Sequence, residues 1–87
     1  METIKQYIRE GRIDEALQRL DNYISTHNDS DEAYYLRGNA YRKKGDMRQA
    51  LNNYLQAIEI NPESPAVQAH NMLIDILNFY DKTRYNP

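Results

Sequence analysis

Residues 31–64 read DEAYYLRGNAYRKKGDMRQALNNYLQAIEINPES, and the length of this stretch, 34 residues, is the offset at which the chain matches itself. Tyr7, Gly11, Ala16, Leu17 and Ile24 recur as Tyr41, Gly45, Ala50, Leu51 and Ile58. A period in that range marks stacked copies of one supersecondary unit. The signals inside the stretch are helical. Asn28-Asp29-Ser30-Asp31 offers side-chain oxygens suited to a helix start. Arg42, Lys43 and Lys44 then precede Gly45, which puts cations where the negative end of a helix favours them and a glycine where the chain must turn left-handed. Asn61-Pro62 stops the helix that follows, because proline cannot donate to the helical ladder.

Working outward, apolar residues at three-and-four spacing predict five helices and no strand, at about 2–10, 12–27, 32–44, 46–60 and 65–80. The first presents Ile4, Tyr7 and Ile8, and the second Ile13, Ala16, Leu17, Leu20 and Ile24. Loops this short force consecutive helices to pack antiparallel. Gly38, Ala50 and Ala57 let paired backbones approach, while Tyr34, Tyr41, Leu51 and Tyr54 fill the space between them. In the last helix Ala69, Met72, Leu73, Ile76, Leu77, Phe79 and Tyr80 form a stripe about 160° wide, with Val67 and Ile74 outside it, so that helix has two apolar faces. Val67 and Ile74 are expected to be buried against the fourth helix, and Leu73, Ile76 and Tyr80 to stay partly accessible. Residues 81–87 read as a polar tail.

Tyr34, Gly38, Tyr41, Gly45, Ala50, Tyr54, Ala57 and Pro62 stand at the spacing of the W-x2-LG-x2-Y…A-x3-F…P pattern, so the chain resembles the tetratricopeptide repeat family. The resemblance implies an all-α, right-handed solenoid of antiparallel helix pairs in one domain over residues 1–80: a first repeat at about 1–30 truncated at its start, a second at 31–64, and a capping helix at 65–80. Arg37 departs from the pattern, which has Leu there. The resemblance also implies a non-catalytic protein–protein interaction module that binds a partner segment in a concave groove lined by the first helix of each pair. Carried over position by position, that groove comprises Lys5, Ile8 and Arg9, then Glu32, Tyr35, Asn39, Arg42 and Lys43, then Ala66, Ala69, Leu73 and Ile76. Tyr35, Leu73 and Ile76 would supply apolar anchoring area, and Asn39 and Arg42 would orient the segment by hydrogen bonds. Family members that clamp a terminal carboxylate use Lys, Asn and Arg; the matching positions here hold Met1, Lys5, Leu36, Ala66 and His70, so only Lys5 agrees.

The composition narrows the alternatives. Among 87 residues there is no cysteine, hence no disulfide framework or thiolate site, which fits a reducing, cytoplasmic setting. No apolar run approaches a membrane span, and no cofactor or metal is implied. His27 and His70 lie far apart in sequence, and no H-E-x-x-H, phosphate loop or G-x-S-x-G appears. The net charge of −2 argues against a general polyanion binder, although residues 31–48 sum to +2 through Arg37, Arg42, Lys43, Lys44 and Arg48. Two alternatives to groove binding remain: a homodimer or larger assembly through the apolar last helix and, ranked lower, an RNA-binding helical repeat using the basic cluster and its tyrosines.

Overall fold

A computed structural model gives the backbone of residues 1–85 and the side chains of residues 1–79. It contains five helices, α1 (Glu2–Arg9), α2 (Ile13–Thr26), α3 (Asp31–Lys44), α4 (Met47–Ile60) and α5 (Ala66–Tyr85), with no strand among the described residues. The sequence repeat reappears as repeated hydrogen bonding. Gly11 N–H donates to Ile8 and Arg12 N–H to Tyr7 at 3.1 and 2.8 Å; one period later Gly45 donates to Arg42 and Asp46 to Tyr41 at 3.1 and 3.0 Å. Both glycines are left-handed, with φ of 80° and 94°, which closes the two turns without a Cβ clash. Ser30 Oγ accepts from Ala33 N–H at 3.2 Å to start α3, Asp46 Oδ1 accepts from Gln49 N–H at 3.1 Å to start α4, and Ser64 Oγ accepts from Ala66 N–H at 3.0 Å to start α5.

Two apolar clusters share the stack, one spanning α1, α2 and α3 and the other α4 and α5. Ile4, Ile8, Ala16, Leu17, Leu20, Ile24, Ala33, Leu36 and Ala40 form the first, and Ala50, Tyr54, Ala57, Ala66 and Leu73 the second. Tyr34, Tyr35 and Tyr41 of α3 pack against both and so join them into one stack. Gly38 is the close contact between α3 and α4: a Cβ built there would lie 2.5 Å from the Tyr54 ring. Arg37, at the departure from the repeat pattern, ties α3 back to α2 through an ion pair with Asp21 at 3.1 Å.

α5 differs from expectation in two ways. It continues to Tyr85 rather than stopping near residue 80, so the expected polar tail is helix over 81–85; residues 86 and 87 lie outside the described residues. The sequence has no proline or glycine between Ala66 and Tyr85, so nothing stops the helix at residue 80. Its buried face also differs, while Ile76 stays accessible as expected. Leu73, expected to be accessible, is 1% exposed in the second cluster, whereas Val67 and Ile74 are only half-buried. Ala66, Leu73 and Leu77 recur at helical spacing on the side that meets Tyr54 and Ala57. Tyr80, expected to be accessible, lies outside the described side chains.

Candidate functional site: the groove along the first helices

Two hollows of about 340 and about 270 Å³ lie side by side along α1 and α3. Lys5, Tyr35 and Leu36 line both, which makes them one trough. The first is completed by Asp31, Glu32, Ser64 and Pro65, the second by Ile8, Arg9 and Asn39. Six of the expected groove residues therefore meet here: Lys5, Ile8, Arg9, Glu32, Tyr35 and Asn39. A larger hollow of about 470 Å³, wide open to solvent, lies in the cleft between α1 and α2 at Ile4, Arg19 and Tyr23, away from the trough.

Each trough side chain is positioned by a neighbour. Lys5 Nζ stands 3.4 Å from both Glu2 and Glu32, bridging α1 and α3 at one end of the trough; the hydrogen bond to Glu2, then that to Glu32, raises its pKa above the usual lysine value. Tyr35 leans on Tyr54 with ring centroids 6.1 Å apart. The Tyr54 hydroxyl donates to Asn39 Oδ1 at 2.6 Å. That bond fixes the Asn39 amide and leaves its Nδ2–H donors without a partner among the described residues. Burial holds the Tyr54 phenol above its usual pKa, while the nearby Arg42 guanidinium works against the shift. Arg9 Nη2 donates to Gln6 Oε1 at 2.7 Å, and both side chains are exposed.

The remaining expected residues are placed otherwise. Arg42 sits beside Tyr54 but outside the two hollows. Lys43 donates to the Ile8 carbonyl at 3.1 Å, capping the end of α1, so its ammonium serves the fold first. Ala66 is buried, and Ala69 packs half-buried on the second cluster. Leu73, buried as described above, is removed from the groove, and Ile76 is 39% exposed on α5 away from the hollows. Leu36, Asp31, Ser64 and Pro65 were missed. The first sits one turn from Glu32 and was legible from that spacing; the other three depend on where α5 begins in space. Of the five cations in the basic cluster, Arg37, Lys43 and Lys44 are engaged within the chain, Lys44 with Asp14 at 3.2 Å.

The tetratricopeptide repeat model matches residues 31–64, the stretch that supplies α3, α4 and most of the trough. The chain belongs to the tetratricopeptide repeat family. It is also similar to the Bacteroides fragilis protein BF1650, solved by solution NMR, at 58% identity and a TM-score of 0.87, over 98% of this chain and 87% of that one. No curated protein matches it. Tetratricopeptide repeats generally mediate protein–protein interaction and are typically not catalytic, and the helical-pair solenoid seen here is their fold. Among the described residues no helix is long and apolar enough to cross a membrane, and no three His, Asp or Glu side chains are grouped to hold a metal ion.

Proposed function

We propose that this tetratricopeptide repeat captures a segment of a partner protein in the trough between α1, α3 and the start of α5. The observation that carries this reading is the continuity of the two hollows through Lys5, Tyr35 and Leu36. Tyr35, half-buried and packed on the core residues Ile8 and Leu36 that floor the trough, offers apolar area whose placement is already set, so little ordering entropy is lost on binding. Asn39, held by Tyr54, directs its free amide donors at a bound backbone, and Arg9 and Arg42 orient acidic groups at the same end.

The structure decides which variants test this cleanly. Asn39→Ala would leave the buried Tyr54 hydroxyl without its acceptor, which costs about 1–3 kcal/mol and confuses binding with folding. Arg9→Glu with Arg42→Glu keeps the Tyr54 to Asn39 bond, and because Arg42 also contacts the Tyr54 hydroxyl, Arg42→Gln controls for the loss of that contact. The pair should abolish capture of the partner recovered by pull-down while the circular dichroism spectrum stays unchanged; undiminished capture would move the site elsewhere.

A second reading, self-association through α5, keeps one specific observation. Met72, Ile76 and Phe79 recur at helical spacing and are 51%, 39% and 67% exposed. Sedimentation equilibrium tests it: a mass that rises with concentration and is fixed at the monomer value by Met72→Ser with Ile76→Ser supports pairing through this stripe, and a constant monomer mass ends it.

A further inference from the structure

The trough carries opposite charge at its two ends. Where α1 and α3 begin, Asp31 and Glu32 line the trough beside Lys5, with Glu2 next to that lysine. Asp31 is bonded to a neutral amide, Asn61 Nδ2 at 3.1 Å, so its charge is not cancelled. Where the same helices end stands Arg9, which lines the trough, with Arg42 and the Ile8-capping Lys43 beyond it, none of them ion-paired to a carboxylate among the described residues. Helix ends soften the contrast, since each carries about half a charge of the opposite sign, but the side-chain charges outnumber them. Between the ends lies the apolar floor of Ile8, Tyr35, Leu36 and Pro65.

The two ends act separately. Glu32 and Arg42 are ten residues apart on one helix, about 15 Å at 1.5 Å per residue, against a screening length of about 8 Å at physiological ionic strength. Each end therefore selects the residue nearest it. A uniformly acidic segment or a nucleic acid strand would be attracted at one end and repelled at the other, and a uniformly basic segment likewise. Each hollow exceeds the roughly 150 Å³ that accepts a benzene-sized group, so a side chain fits in either.

Resting on the groove reading above, the geometry points to a partner segment with segregated charge. A basic residue lies at the Asp31 and Glu32 end, an apolar side chain over Tyr35 and Leu36, and an acidic residue at the Arg9 and Arg42 end. In an extended segment at about 3.3 Å per residue, the opposite charges stand about five residues apart. A lysine or arginine at the first position lays its stem along Tyr35 and Pro65 and its head among the carboxylates.

The test uses the full chain and four end-blocked synthetic peptides, measured by calorimetry at low ionic strength. Two have segregated charge, Lys-Lys-Ala-Leu-Phe-Ala-Glu-Glu and Glu-Glu-Ala-Leu-Phe-Ala-Lys-Lys, because charge order alone leaves the direction of the chain open. The third has the same composition with charges mixed, Lys-Glu-Ala-Leu-Phe-Ala-Lys-Glu, and the fourth replaces every charge by Gln. At least one segregated peptide should bind about tenfold more tightly than the mixed one, an advantage that shrinks with added salt. Arg9→Glu with Arg42→Glu should bring the two to parity, and the amides of Tyr35, Leu36 and Asn39 should shift on binding. Equal affinity for mixed and segregated peptides, no binding by any charged peptide, or tighter binding of a single-stranded oligonucleotide than of every peptide would overturn the inference. If the neutral peptide alone shifts those amides, charge order fails and the groove reading stands; if all shifts fall on α2 and α4, both fail.

Discussion

Replacing Gly38 by alanine should destabilise the protein, although alanine is the better helix former. The added Cβ would lie 2.5 and 2.6 Å from two carbons of the Tyr54 ring and 3.2 Å from the Ala50 carbonyl oxygen. Ordinary carbon contacts are about 3.5–4.0 Å, so the ring must retreat by about 1 Å. It has nowhere to go: Tyr54 is fully buried, packs on Tyr35 and is bonded through its hydroxyl to Asn39 at 2.6 Å. Overpacking of this kind costs about 1–3 kcal/mol. Loss of the Tyr54 to Asn39 bond adds about 0.5–1.5 kcal/mol. Alanine returns about 1 kcal/mol of helix propensity. The net is a loss of about 1–3 kcal/mol, a fall in melting midpoint of roughly 5–20 °C for a domain of this size. Thermal denaturation followed at 222 nm measures it. The first repeat supplies the control, since it pairs Ile4 with Leu20 where the second pairs Gly38 with Tyr54. In a Tyr54→Leu background, Gly38→Ala should therefore cost less than in the native chain, a coupling that a double-mutant cycle isolates. An unchanged or raised midpoint for Gly38→Ala alone would refute the close contact of α3 with α4.

Other outcomes follow from the same packing. Ala50→Leu, at a position with no exposed surface, should cost about 1–3 kcal/mol by overpacking, read as a lower urea midpoint with an unchanged slope. Leu73→Ser should destabilise by about 2–5 kcal/mol because Leu73 is core, whereas Ile76→Ser should leave the midpoint within about 0.5 kcal/mol; equal effects would return Leu73 to the surface. The Tyr54 phenol is held above its usual pKa of 10.0, so the unfolded chain ionises first. Stability from this group is complete below pH 10 and is lost as pH rises through the folded value. Alkaline unfolding should accordingly be delayed in Tyr54→Phe relative to its own stability at neutral pH.

The residues that carried the fold in sequence were those whose role is local. Gly11 and Gly45 end helices, Ser30 starts one, and the 34-residue offset ties the two repeats together. α1 to α4 accordingly fall within about two residues of the expected bounds. The half of the groove on α1 and α3 was legible for the same reason, because the second repeat fixes which side of α3 faces its own α4. The half on α5 was not. With no second helix to mark its inner side, two apolar faces fitted the helical period equally well. Carrying Asn39 forward by one period put Leu73 in the groove, whereas α4 takes it into the core. Lys43 misled differently: its side chain reaches the Ile8 carbonyl, 35 positions away in sequence, a contact that only the stacking of α1 on α3 creates.

A partner segment held along α1 and α3 would perturb the amides that line the trough. Amide chemical-shift mapping of the labelled protein, titrated with the segment of its pulled-down partner that proteolysis leaves bound, tests it most directly. The largest shifts should fall on Lys5, Ile8, Arg9, Tyr35, Leu36 and Asn39, with α2 and the middle of α4 unmoved. Shifts concentrated on α2 and α4, or on Met72, Ile76 and Phe79 of α5 alone, would contradict it.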